Sequence, residues 1–200
     1  MRAYQRGSGE VLAQFDSVEV EVLGGAVEQL VQACDDPRLG APVGGHGDAD
    51  SIVAEAAQIL ADDREPPPAT DVSDPVLRRL FPDACPDDAG VSADFRRLTL
   101  ADQRWAKVLA ARSVEADIDK RGADGVVHIG GEHVTDWLTT LTAVRLMLAA
   151  RLGIVEEANE DACEAAGEDD PAHWTYSVYL WMGWLEESIL DCLTDADLVV

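Results

Sequence analysis

Residues 132–153 read EHVTDWLTTLTAVRLMLAARLG, and their spacing decides the fold. Trp137, Leu138, Leu141, Val144, Leu148 and Leu152 recur at the three- and four-residue steps of one helix face. Gly153 follows directly, the residue type that closes helices in a left-handed conformation. A long helix from about Glu132 to Leu152 with so broad an apolar stripe needs other helices to cover it. It therefore predicts a globular helical bundle rather than a coiled coil.

Working toward the N-terminus, Gly122 to Gly125 breaks the chain, and Val126-Val127-His128-Ile129 reads as a short strand. Before it, Thr99 with Asp102 reads as the start of a helix carrying Leu100, Trp105, Val108, Leu109, Arg112 and Ile118. Ser92 to Leu98 reads as a separate helix, and Asp74-Pro75 as the capped start of a short one that stops at Pro82. A modest helix is expected over Asp50 to Leu60, ended by the stiff Glu65-Pro66-Pro67-Pro68. Asp16 and Glu19 form a capping-box signature ahead of Val20, Leu23, Val27, Leu30, Val31 and Cys34. Glu10 to Phe15 reads as a strand that can form a small hairpin with Tyr4 to Arg6 across Gly7-Ser8-Gly9.

Toward the C-terminus, Val155 to Pro171 holds eight acids and no base, a composition that favours a mobile loop. A last helix over about Ala172 to Leu193 carries Trp174, Tyr176, Tyr179, Trp181 and Trp184. The fold expected is mainly α: a helical bundle with an N-terminal β-hairpin that can pair with the one mid-chain strand. One domain spans residues 1–200, with mobile acidic segments near 35–73 and 155–171.

Charge bounds the function. Thirty-nine acids against fifteen bases leave a net charge of −24. Residues 75–154 hold eleven of each and are neutral, so the whole excess lies in the flanks, with four bases and twenty-eight acids. Such a chain disfavours direct DNA binding, which rests on Lys and Arg at phosphates, and favours solubility and a basic protein partner. No secretory or membrane-spanning run is seen, so a cytoplasmic location without membrane contact is expected.

No nucleophile motif, phosphate-cradling Gly loop or Cys-x-x-Cys occurs, so no catalytic residue, metal site or cofactor is assigned, and the chain is not expected to be an enzyme. His133 with Asp136, and Asp170 with His173, have helical spacing for a metal but read as ordinary surface pairs. The aromatic group Tyr179, Trp181, Met182 and Trp184 reads first as core, and an exposed part of it leaves a homodimer contact open. Four bases stand out as candidates for holding a partner: Arg78, Arg79, Arg145 and Arg151. Arg145 borders the apolar stripe, so a half-buried pair with a carboxylate is its simplest role. The redox candidates are Cys34, Cys85, Cys163 and Cys192. Cys85 in DACPDD reads as exposed, Cys34 ends a helix, Cys163 has acidic neighbours and Cys192 lies on an inner face. Anions and helix C-termini raise a thiol pKa, so none is an evident sensor, and the order of cysteines assigns no pair.

Four segments occur in order: DPVLRRLFPDA at 74–84, DFRRLT at 94–99, VRLMLAARLGI at 144–154 and YLWMGWLEES at 179–188. Together they resemble the AosR-like family of actinobacterial oxidative-stress regulators, formerly a domain of unknown function, over nearly the whole chain. The resemblance implies a redox-responsive transcriptional regulator that acts with a stress sigma factor and raises expression of cysteine-biosynthesis genes after forming an intramolecular disulfide, so the partner expected is a sigma factor or RNA polymerase. The alternative is a non-catalytic structural or adaptor module in which the cysteines carry no redox function.

Overall fold

The computed structural model describes residues 2–6, 10–35, 74–154, 160, 163–165, 167 and 170–197. The expected helix at 50–60, the proline spacer and much of the acidic segments near 35–73 and 155–171 lie outside the described residues.

The hairpin expected at the N-terminus is β1 (Arg2–Arg6) paired antiparallel with β2 (Glu10–Gln14), Arg2 opposite Gln14 and Arg6 opposite Glu10. The mid-chain strand β3 (Val126–Ile129) adds to the other edge of β2, with Val11 opposite Ile129 and Gln14 opposite Val126. β2 is thus central, and its successive residues Val11, Leu12 and Ala13 are all buried, as expected of a strand covered on both faces. The turn before β3 brings two backbones together. The Phe15 amide donates to the Gly125 carbonyl at 3.0 Å, and a Cβ on Gly125 would sit 2.3 Å from the Phe15 carbonyl oxygen.

α1 (Ser17–Cys34) begins with the capping box the sequence signals. Asp16 accepts the Val18 and Glu19 amides at 2.8 and 2.9 Å, and Glu19 accepts the Asp16 amide at 2.9 Å. α2 (Pro75–Leu80) is capped by Asp74. α3 (Ala89–Asp119) differs from expectation: the two helices read on either side of Thr99 are one continuous helix capped by Asp88. No Gly or Pro interrupts residues 91–119. The Thr99 hydroxyl donates back to the Phe95 carbonyl at 3.0 Å, a mid-helix habit of threonine, instead of capping a new start. Ser92 likewise opens nothing; its hydroxyl donates to the Cys85 carbonyl and accepts the Cys85 amide, tying the α2–α3 loop down.

α4 (Val134–Leu152) ends as expected at Gly153, φ +69°. The Ile154 amide donates to the Ala149 carbonyl and the Gly153 amide to the Ala150 carbonyl, the bond pair of a Schellman close. α4 is packed by α1, α2, α3 and α5 (Pro171–Asp197), so its burial on several sides follows from being central, with Thr135, Thr142 and Arg151 left exposed. Trp137, Leu141, Val144 and Met147 from α4 meet Met182, Leu185 and Ile189 from α5 in the main core. Of the aromatic group read on the last helix, Met182 is fully buried, Tyr179 and Trp181 are half-buried, and Trp184 stays 45% exposed. No described helix is long and apolar enough to cross a membrane.

Candidate partner-binding surface

The four cysteines lie on four different segments of the chain, two of them in the main core. Cys34, at the end of α1, is fully buried, and its carbonyl accepts the Arg104 Nε at 2.6 Å. Burial pushes its thiol from 9.0 up to about 11, although Lys107 and Arg104 pull the other way. Cys192 lies in the same core, from α5. Cys163 is buried in a second cluster with Ala149, Ile154 and Tyr176. Cys85, expected at the surface, is half-buried, because Ser92 of α3 holds its backbone against the helix start. Cys34, Cys85 and Cys163 are free thiols.

The four arginines divide into two kinds. Arg145 is spent inside the protein. Its Nη1 donates to Glu186 Oε2 at 2.8 Å, and its guanidinium lies 5.3 Å from the Tyr179 ring centroid. The Thr142 hydroxyl donates to the other Glu186 oxygen. Gly183 makes room for this, since a Cβ there would lie 3.2 Å from the guanidinium carbon. The half-buried pairing read as Arg145's simplest role is therefore what fastens α4 to α5. Arg78 and Arg79 are exposed on the last turn of α2. Arg151 is exposed at the end of α4, with Nη1 donating to Gln29 Oε1 of α1.

Arg151 stands on the rim of a groove of about 580 Å³ between α1, α4 and α5. Its walls are Gly25, Ala26, Leu148, Leu152, Trp174 and Val178, with Glu21 and Gln29 beside the arginine. Trp174 is 61% exposed, the most exposed of the large apolar side chains. Gly25 lies on the α1 side of this groove. It sits mid-helix in α1, where glycine costs about 1 kcal/mol against alanine. A Cβ there would meet nothing within 4 Å, so packing does not require the glycine. Its consequence is an open wall. A second groove, about 770 Å³ between α1 and α3, is mainly charged and runs past Gly24, Glu28, Asp35, Arg112, Glu115 and Arg121.

The family described as domain of unknown function (DUF2017) matches residues 1–193. The chain belongs to that family. No curated protein and no solved structure matches it.

In this DUF2017 chain the buried polar centre lies where the sequence reading did not look. His133 pairs with Asp117 on α3, its Nδ1 2.9 and 3.0 Å from the two carboxylate oxygens. Trp137 Nε1 donates to the same carboxylate at 3.1 Å. Asp117 is 4% exposed and Trp137 fully buried, with the indole stacked on Phe15 at 6.3 Å. One carboxylate thus links α3 to the start of α4. A signal was present: Val114, Asp117 and Ile118 share one helix face, and an acid inside an apolar face needs partners. Among the described residues no group of three His, Cys, Asp or Glu is placed to hold a metal ion.

Proposed function

We propose that this protein is a redox-responsive transcriptional regulator that works through protein contacts, with a sigma factor or RNA polymerase as its partner. Two supports are the resemblance to the AosR-like regulators and a charge of −24 that steers a basic partner inward. The observation that carries the contact role is the groove beside Arg151 and Trp174, lined on α1 by Gly25, where an added side chain would enter open space. A partner helix presenting an apolar side chain there, with a carboxylate reaching Arg151, fits it. Arg78 and Arg79 offer a further contact on α2.

The decisive substitution is Gly25→Leu. It should raise helix stability and fill the groove, so binding of a purified sigma factor should fall at least tenfold while the melting temperature holds or rises. Unchanged binding would remove the groove from the proposal.

The redox role falls first on Cys85, the one redox candidate that is not buried. Peroxide oxidising two thiols to one disulfide, with two waters released, is read by intact mass after alkylation. Loss of two alkylatable thiols, one of them Cys85, is expected. Four alkylated thiols after peroxide would instead favour the second reading, a non-catalytic adaptor module. The burial of Cys34, Cys163 and Cys192 is the observation on its side.

A further inference from the structure

α3 carries two apolar faces, and the core formed by the described residues uses one. Leu100, Ala111, Val114 and Ile118 point into the core. On the opposite side Val91, Phe95, Leu98, Trp105 and Leu109 remain 40–49% exposed. These five, with Asp102 and Arg112, follow alternating steps of four and three residues, the spacing of a helix seam that meets another helix. From Val91 to Leu109 the seam runs about 27 Å at 1.5 Å per residue. Half of the large apolar side chains exposed on the described surface fall on this one line, although a helix in water alternates them with polar residues.

We infer that α3 is the contact between two copies of this chain, paired antiparallel across a two-fold axis near residue 107. A two-fold contact must map onto itself when the helix is reversed. About position 107 the part from Leu98 to Ala116 does so with opposite charges, while Phe95 faces Asp119 and Val91 lies beyond the end of the other copy's α3. Asp102 and Arg112 stand five residues to either side, so each Asp102 meets the Arg112 of the other copy. Between them Trp105 faces Leu109 of the other copy, and Leu98 faces Ala116 outside them. Both charged groups are exposed: Asp102 lies on the surface, and Arg112 has a side chain 60% exposed in its pair with Glu115. The choice of occupant follows from charge as well. Two chains of −24 repel, yet α3 carries five acids and five bases, so this face brings two copies together on neutral ground.

The groove at Arg151 and Trp174 lies on other helices, so this contact stands apart from partner binding. The test is sedimentation velocity on the full-length chain across a concentration series. The wild type should show a monomer–dimer equilibrium. Asp102→Arg places arginine against arginine and should raise the dissociation constant at least tenfold. Asp102→Arg with Arg112→Asp restores opposite charges and should return it to within about threefold of the wild type. Leu109→Ala, which keeps the charges and trims the seam, should weaken the dimer as well. Circular dichroism confirms that each variant is folded, all sites being on the surface. A wild type monomeric throughout the series, or a dimer indifferent to the single and double charge exchanges, would overturn the inference.

Discussion

Replacing Asp117 with alanine removes the one acceptor that serves both His133 and Trp137. The indole N–H, on a fully buried ring, is then left without that partner. Stranding a buried donor costs about 1–3 kcal/mol, and each bond lost to a charged acceptor is of similar size. His133 loses less, because its side chain is 32% exposed and can turn to solvent. The sum is about 3 kcal/mol, below the upper range for breaking a fully buried pair. For a chain of this size it lowers the melting temperature by roughly 6–12 °C. Asp117→Asn is the informative control. Its amide oxygen still accepts the indole N–H, and its NH2 can donate to His133 Nδ1 in the other tautomer, so the loss should be about 1 kcal/mol. Urea unfolding followed by far-ultraviolet circular dichroism gives both values. An alanine variant within about 1 kcal/mol of the wild type, or an asparagine variant as unstable as alanine, would refute the claim that this carboxylate pins α3 to α4.

Two glycines and one thiol yield further outcomes. Gly125→Ala combines φ +78° with a Cβ 2.3 Å from the Phe15 backbone and should abolish cooperative unfolding. Gly153→Ala faces open space at φ +69° and should cost only the left-handed penalty of about 1–2 kcal/mol, both read by thermal denaturation. Cys34 predicts an alkaline loss of stability. Its thiol ionises near 9.0 when unfolded and about 11 when folded, so the unfolded chain releases the proton first. Stability is therefore full below pH 9 and falls as pH rises to 11, by about 2–3 kcal/mol, and Cys34→Ala should flatten that limb in urea titrations.

Much of the fold was legible because it is written in local chemistry. The Asp16 and Asp74 caps, the Gly153 close and the stripe from Trp137 to Leu152 each depend on residues a few positions apart. The split placed at Thr99 failed for a related reason: a threonine beside an acid two or three residues on looks like a cap, but only an interrupted backbone makes it one. The candidate site was less legible. Arg151 was singled out, yet its groove depends on Gly25 of α1 and Trp174 of α5, far apart in the chain. Asp117 was passed over because one acid among thirty-nine draws no notice until its burial is known.

By itself the sequence determined the mainly helical class, the hairpin, most helix ends and the neutral middle between acidic flanks, since propensity, capping and charge act over a few residues. Tertiary structure decided which apolar faces are covered. It put Met182 in the core and left Trp184 outside, used Arg145 internally, and buried Cys34 while Cys85 stayed half-open. It also left five large apolar side chains on one side of α3 partly exposed. Burial depends on which neighbour arrives from elsewhere in the chain, and periodicity carries no record of that.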